Sequence, residues 1–187
     1  YADWINTVSK SHVQEVMTSE YGEGLENTTA LIKGKFSGIL NGLDKKEFNP
    51  RTDPFLKKNY SISTIKSRVQ NKLELQEVFG LPQDAETFLF GFVGRLSKQK
   101  GLDILLPIIK RVLDEFPAQF IFLGGGDSDY KNQLAKLQNK FPNNVSTHLH
   151  PDFKLPRKVF AGADAILIPS IFEPGGIVAL ESMRYGA

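Results

Sequence analysis

The sequence predicts an α/β fold, in which a doubly wound parallel sheet is covered by helices on both faces. The segments that we interpret as strands are apolar along their whole length, which is typical of strands buried on both sides. An amphipathic helical pattern follows each of them, as expected when helices connect parallel strands. Glycines and charged residues come directly after the strands, at the edge where such sheets bind ligands.

Strands and helices alternate from residue 88 onward. Apolar runs predict strands at residues 88–93, 119–123, 145–148 and 165–168. Apolar residues at helical spacing predict the helices that follow them, at residues 102–116, 130–140, 157–161 and 177–185. A further helix, at residues 64–79, is predicted before the first of these strands and ends at Gly80.

The first 60 residues show less regular patterns. They predict a strand, a helix and a further apolar run, at residues 5–8, about 10–18 and 36–40 respectively. Ser9 is the predicted N-cap of the helix. Residues 48–54 contain too many turn-forming residues for a helix or a strand. We therefore expect residues 1–60 and 61–187 to form separate parts of the fold.

The composition excludes several classes of function. With 23 basic and 21 acidic residues, the net charge of +2 is too small for a main role in binding nucleic acid or an anionic membrane. The chain has no cysteine, which excludes disulfides and cysteine nucleophiles. His148 and His150 are close in sequence but lack a third ligand, so no metal site is expected. No apolar run approaches the ~18 residues of a membrane span, and we expect a cytoplasmic protein, or a plastid protein in a plant.

Arg95 and Lys100 are predicted to clamp a pyrophosphate. Arg95 directly follows the strand at 88–93, and Lys100 stands at the start of the next helix. A planar guanidinium and a compact ammonium group on one loop suit two adjoining phosphates. The alternative is that both are solvated surface cations, which is what we expect of Lys98 between them.

Two interpretations of the glycine run at residues 124–126 stay open. The run follows the strand at 119–123 and precedes Asp127. It could cradle a ligand, or it could allow a tight turn in which Asp127 or Ser128 caps the next helix. The run does not continue into a dinucleotide fingerprint, which disfavours an oxidoreductase on this fold.

A glycine-rich turn joins the last predicted strand to the last helix. Glu173 lies in this turn, and its side chain is expected to point toward the sugar of a bound ligand. Gly176 stands near the helix start, where free amides can bind a phosphate, namely those of Ile177 and Val178. Glu181, about one turn into the helix, could reach ribose hydroxyls or pair with the arginine three residues on.

The sequence resembles the glycogen/starch synthase family of retaining glycosyltransferases, specifically its bacterial and plant members that use a nucleotide sugar. Its motifs match those of the family in the same order. The matching segments span nearly the whole chain: 21–25 (YGEGL), 38–44 (GILNGLD), 49–53 (NPRTD), 94–101 (GRLSKQKG), 161–164 (AGAD), 172–174 (FEP) and 183–186 (MRYG).

The resemblance implies transfer of glucose from ADP-glucose to the non-reducing end of an α-1,4-glucan, with retention of configuration. It implies two Rossmann-like domains facing across a cleft, the GT-B type. Residues 61–187 would be a partial C-terminal domain that binds the nucleotide sugar. Residues 1–60 would be the end of the N-terminal domain and a connector. We accordingly expect a chain truncated at both ends that is inactive alone.

The resemblance also assigns roles to residues. Arg95 and Lys100 are implied to bind the diphosphate and to stabilise the leaving charge, and Glu173 is implied to hold glucose hydroxyls, so that these three are the catalytic candidates. Further contacts to the donor are implied for a second group of residues: Asn41, Gly175, Gly176, Ile177, Val178 and Glu181. No metal or cofactor is implied, because the cations neutralise the phosphates.

Two regions depart from the family pattern. Gly175 stands where the family usually has cysteine, so a side-chain contact to glucose is lost. Residues 150–152 (HPD) occupy the region where an aromatic residue flanks the nucleotide base, which leaves the preference for ADP or UDP open. The alternative function is a non-catalytic module, derived from such an enzyme, that binds a nucleotide or a glucan.

Overall fold

The computed structural model describes residues 2–187 and divides them into two compact units. The smaller unit comprises the residues up to Leu43 together with Glu173–Ile177. The larger unit comprises Asp44–Phe172 and Val178–Ala187. Residues 44–60, which we expected in the first part of the fold, thus pack with the larger unit. The assignment of residues to the domains of a longer protein stays a prediction.

The smaller unit contains a two-stranded parallel sheet. Its elements are, in chain order, β1 (Ile5–Thr7), α1 (Lys10–Glu15), α2 (Glu26–Leu31) and β2 (Phe36–Gly38). The predicted N-cap of α1 is confirmed, because the Ser9 hydroxyl accepts a hydrogen bond from the His12 amide at 2.9 Å. Helix α2 was not predicted from the sequence, and the Leu25 side chain at its N-cap makes no capping bond.

The larger unit confirms the alternation of strands and helices. Its elements are α3 (Arg68–Val78), β3 (Phe88–Val93), α4 (Leu102–Glu115), β4 (Ala118–Leu123), α5 (Ser128–Lys140), β5 (Val145–His148), α6 (Leu155–Gly162) and β6 (Ala165–Ile166), and a last helix, α7 (Ile177–Tyr185), follows. Strand β6 is shorter than predicted, since Pro169, which lacks an amide hydrogen, stands just beyond it. The helix predicted at 64–79 begins as a 3-10 helix, Ile62–Ser67, in which Thr64 has a non-helical backbone.

Four parallel strands form the sheet of the larger unit, in the order β5-β4-β3-β6. β3 pairs with β4 along its whole length, and with β6 through Phe90 and Gly91. The chain moves outward from β3 to β5 and then returns to the opposite side of β3. Because sheets of this kind bind ligands beyond the carboxyl ends of the strands where the order reverses, the end of β3 is the expected place for a site.

Apolar side chains fill both faces of this sheet, as a doubly wound fold requires. On the face covered by α4 and α5, a cluster forms around Phe92, Phe120 and Phe122. On the face covered by α3 and α6, a second cluster forms around Leu89 and Ile121. The predicted α/β class is therefore confirmed. Among residues 2–187, none of the helices combines the length and the apolar character that crossing a membrane requires.

Candidate functional site

An open cavity of about 460 Å³ borders the carboxyl ends of β3, β4 and β5 in the larger unit. The residues that line it come from the three strand ends and from the starts of two helices: Val93, Gly94, Arg95, Leu123, Gly124, Gly125, Gly126, Lys131, Pro151, Asp152 and Pro156. The cavity therefore lies at the edge of the sheet that the sequence predicted, and basic side chains and the glycine run both contribute to its wall.

Arg95 is exposed at the end of β3 and is held by Gln99. Its Nη2 atom donates to Oε1 of Gln99 at 3.1 Å. Gln99 is itself anchored through its backbone oxygen, which accepts from the Ile171 amide at 2.8 Å, and through Nε2, which donates to the Phe172 carbonyl at 3.3 Å. Gln99 thus links the loop after β3 to the segment after β6 and directs the guanidinium.

Lys100 lies close to the same strand end. It is half-buried and ends a short 3-10 helix, Lys98–Lys100. Its Cε atom lies 4.0 Å from the position that a Cβ atom on Gly94 would take. The structure therefore brings Arg95 and Lys100 together at the end of β3, whereas Lys98 is exposed as expected.

Two glycines allow the loops around this edge to approach one another. Gly101 has a left-handed φ of +70°, and a Cβ atom there would lie 1.9 Å from the Pro169 carbonyl oxygen. A Cβ atom on Gly124 would lie 1.8 Å from the Gly94 carbonyl oxygen. Asp127 caps α5 by accepting a hydrogen bond from the Asp129 amide at 2.8 Å. The tight turn is thus present, and Gly125 also lines the cavity, so the two interpretations of the glycine run are compatible.

Lys131 and Asp152 were missed by the sequence analysis. Lys131 lies in the first turn of α5, the end of this helix that is next to the strand ends. Its side chain contributes a further cation to the cavity lining. Asp152 accepts hydrogen bonds from the amides of Leu155 and Lys154, both at 2.7 Å. These bonds, that of Leu155 first, hold the pKa of the Asp152 carboxyl below its ordinary value. The cavity thus offers cations along one part of its wall and a carboxylate at another.

In the smaller unit, Asn41 lies against the glycine turn. A Cβ atom on Gly175 would lie 2.6 Å from Nδ2 of Asn41 and 3.5 Å from Cγ2 of Val8. Any side chain at position 175 would therefore require Asn41 to move. Glu173 is exposed, and Gly176, with a left-handed φ of +57°, precedes the start of α7. Asn41 and Gly175 are thus two predicted donor contacts that the structure brings together.

Glu181 lies half-buried on α7. Burial raises the pKa of its carboxyl, the Arg157 guanidinium opposes this rise, and the Glu47 carboxylate adds to it. The arginine three residues on, Arg184, donates from Nε to the Phe48 carbonyl at 3.0 Å. Val178 and Ile177 stand in the first turn of α7, where amide groups have no acceptor within the helix.

Between residues 2 and 187, no three or more His, Asp and Glu side chains are arranged to hold a metal ion. The rings of His148 and His150 lie edge to face with their centroids 6.2 Å apart. The absence of a metal from the reaction stays a prediction.

Comparison with known proteins identifies the family of the chain and several of its relatives. The family model of glycosyl transferases group 1 matches residues 73–187. The chain is 41% identical over 187 residues to a glycogen synthase from Trichodesmium erythraeum and 41% identical over 186 residues to one from Thermotoga maritima. These matches cover all of this chain but 41% and 38% of the relatives, so the chain spans about two fifths of their length.

A solved structure shows the same fold. The catalytic domain of starch synthase IV from Arabidopsis thaliana, bound to ADP and acarbose, superposes with a TM-score of 0.92 at 34% identity, over all of this chain and 38% of that one. The family match covers most of the larger unit, including Arg95, Lys100 and Glu181. The chain therefore belongs to the family of glycosyl transferases group 1.

Proposed function

We propose that this chain is the donor-binding part of an α-1,4-glucan synthase, which transfers glucose from ADP-glucose to the non-reducing end of a glucan and releases ADP. The observation that carries this proposal is that two cations stand at the end of β3: Arg95 lines the cavity of about 460 Å³, and Lys100 lies with its Cε atom close to Gly94 of the same strand end. The relatives named glycogen synthase support the reaction class, and the ADP bound in starch synthase IV supports the nucleotide.

The charges at this edge suit the chemistry of the donor. When the bond between the glucose carbon and the phosphate oxygen breaks, negative charge accumulates on the departing diphosphate. Fixed cations stabilise this charge most where they are already in place before the reaction, and Gln99 fixes the Arg95 guanidinium in this way. We propose that Arg95 and Lys100 bind the diphosphate and that Lys131, which lines the cavity together with Arg95, adds a further positive charge.

The remaining predicted residues receive proposed roles within their own units. For the smaller unit, we propose that Glu173 accepts hydrogen bonds from glucose hydroxyls and that Asn41 and the backbone of 175–177 contact the donor. For the larger unit, we propose that Val178 offers its amide and that Glu181 accepts from ribose hydroxyls. No metal or cofactor is part of this proposal, since the cations supply the positive charge.

Titration calorimetry with ADP tests the diphosphate site. We expect the wild-type chain to bind ADP and the double variant Arg95→Ala, Lys100→Ala to lose about 100-fold or more in affinity, because each hydrogen bond to a charged group contributes ~1.5–3 kcal/mol. The matched control is Lys98→Ala with Lys110→Ala, which removes the same charge from two exposed positions. Equal losses in both double variants would contradict the proposal. UDP titrated in parallel measures the base preference.

A chimaera tests the transfer reaction itself. The segment of the Trichodesmium erythraeum glycogen synthase that matches this chain over 187 residues is replaced by the chain. We expect the folded chimaera to incorporate glucose from labelled ADP-glucose into glycogen, and the Arg95→Ala, Lys100→Ala chimaera to incorporate none above a blank. A chimaera that melts cooperatively and binds ADP but transfers no glucose would favour the alternative of a non-catalytic module.

A further inference from the structure

The loop after β3 is held by its backbone on two sides. On one side, the Leu96 amide donates to the Gly125 carbonyl at 2.8 Å, which ties the loop to the glycine run. On the other side, the Ile171 amide donates to the Gln99 carbonyl, also at 2.8 Å, which ties the loop to the segment after β6. The main chain of the loop is therefore fixed between two neighbouring segments of the larger unit.

The side chain of Gln99 adds a second link to the segment after β6. Its Oε1 atom accepts from Nη2 of Arg95 at 3.1 Å, and its Nε2 atom donates to the Phe172 carbonyl at 3.3 Å. A guanidinium can only donate and a carbonyl can only accept, so these two partners determine the orientation of the amide. Gln99 thus joins the Arg95 guanidinium to the Phe172 backbone through one side-chain amide.

The same segment lies against the backbone beside Lys100. Gly101, the next residue, has a left-handed φ of +70°, and a Cβ atom there would lie 1.9 Å from the Pro169 carbonyl oxygen. The two main chains can approach so closely because glycine has no side chain. We call residues 169–172 the support segment. It contacts the loop next to both cations, whereas the cavity is lined by other parts of the chain.

A neutral amide suits the position of Gln99 for a chemical reason. A carboxylate there would bind the guanidinium more strongly, but it would offset the positive charge next to the phosphates, and it could not donate to Phe172. An apolar side chain would leave the exposed Arg95 guanidinium mobile, so that binding would have to immobilise it at a cost in conformational entropy. The amide orients Arg95 before binding and leaves its charge intact.

We propose that Gln99 is a positioning residue for the diphosphate, which couples the Arg95 guanidinium to the support segment. This inference rests on the proposed function. Coupling between two sites is reciprocal: if the support segment orients Arg95 for binding, a bound diphosphate stabilises the support segment by the same factor. ADP should therefore slow the opening of the hydrogen bond from the Ile171 amide to Gln99, although neither residue lines the cavity.

Calorimetry on the full chain, with ADP and with inorganic pyrophosphate, tests the positioning role. We expect Gln99→Met to weaken the binding of both ligands by about two- to tenfold, the range that one hydrogen bond contributes. Gln99→Glu should weaken both by about tenfold more, because it places a negative charge beside the phosphates. In an Arg95→Ala background, Gln99→Met should cause no further loss, because its effect passes through Arg95.

The matched control is Gln138→Met. Gln138 is half-buried, as Gln99 is, and its Oε1 atom also joins two segments, since it accepts from the amide and the hydroxyl of Thr147 at 2.9 and 2.7 Å. It does not line the cavity. We expect Gln138→Met to keep wild-type affinity for both ligands. If Gln99 only stabilised the fold, the order of its variants would be reversed, because glutamate keeps the shape of glutamine better than methionine does.

Amide hydrogen exchange followed by NMR tests the coupling to the support segment. We expect saturating ADP to slow exchange of the Ile171 amide by about two- to tenfold in the wild type and to leave it unchanged in Gln99→Met. The control is the Tyr60 amide, which donates to the Pro50 carbonyl at 3.0 Å and should exchange equally with and without ADP. An Ile171 amide that ADP does not protect in the wild type would contradict the coupling.

The remaining outcomes separate this inference from the proposed function. If the wild type binds neither ligand, or if Arg95→Ala binds both as the wild type does, the proposed function fails and this inference with it. If binding depends on Arg95 but the Gln99 variants keep wild-type affinity, or if Gln99→Met costs as much without Arg95 as with it, only the positioning role is wrong. Should Gln99→Met fail to melt cooperatively, Gln99→Asn, which is one methylene shorter, replaces it in each comparison.

Discussion

Replacing Asp53 with alanine should lower the free energy of unfolding by about 3–5 kcal/mol, the usual cost of removing one partner from a buried ion pair. The Asp53 side chain is 0% exposed and lies 3.7 Å from Nη1 of Arg157. In the variant, the Tyr185 hydroxyl loses its acceptor, and the nearly buried guanidinium keeps only Glu47 as a charged partner. Urea titration followed by circular dichroism measures the change.

Asp114→Ala is the matched control for Asp53→Ala. Asp114 also pairs with a cation, Lys110, but this pair lies on the exposed surface of α4 and joins residues four apart. Such pairs contribute about 0.5 kcal/mol or less. If the two variants unfolded at the same urea concentration, Asp53 would not be the buried anchor that the structure shows.

The order of strands and helices in the larger unit could be predicted because its signals are local. The apolar run at Phe88–Val93 and the helical spacing of Leu102–Glu115 each lie within a single element. The position of Arg95 could also be predicted, because the parallel strands of one sheet have their carboxyl ends at the same edge. Element type, strand direction and the edge that bears the cations therefore follow from neighbouring residues alone.

The network of Asp53, Tyr185, Arg157 and Glu47 could not be predicted in this way. Asp53 and Tyr185 are separated by 132 positions, and Arg157 and Glu47 by 110. Nothing in the turn-rich segment around Asp53 indicates that its carboxylate is buried, because burial depends on how α6 and α7 pack. For the same reason the sequence alone does not show that residues 44–60 pack with the larger unit.

Lys131 shows a similar limit for the candidate site. A lysine in the first turn of a helix is most often a solvated cation, and no spacing distinguishes it from Lys136 or Lys140 of the same helix. It lines the cavity only because the glycine run brings the start of α5 beside the end of β3. That approach depends on the absence of a Cβ atom on Gly124, which would lie 1.8 Å from the Gly94 carbonyl oxygen.

Gly101→Ala and Gly80→Ala form a matched pair that separates the cost of backbone conformation from that of a steric clash. The two glycines have nearly equal left-handed φ angles, +70° and +65°. An alanine in this conformation costs about 1–2 kcal/mol at either position. At Gly80 a Cβ atom meets nothing within 4 Å, but at Gly101 it would lie 1.9 Å from the Pro169 carbonyl oxygen.

We expect Gly80→Ala to lower the free energy of unfolding by about 1–2 kcal/mol, and Gly101→Ala by about 3 kcal/mol or more, since overpacking adds its own cost of ~1–3 kcal/mol. ADP affinity should stay unchanged in Gly80→Ala and should fall in Gly101→Ala, because relief of the clash displaces Lys100, the adjoining residue. Urea titration measures the first effect and calorimetry the second. Equal destabilisation by the two substitutions would mean that the segment after β6, which contains Pro169, does not restrain the start of α4. Full ADP affinity in a destabilised Gly101→Ala chain would mean that the position of Lys100 is not what the diphosphate requires.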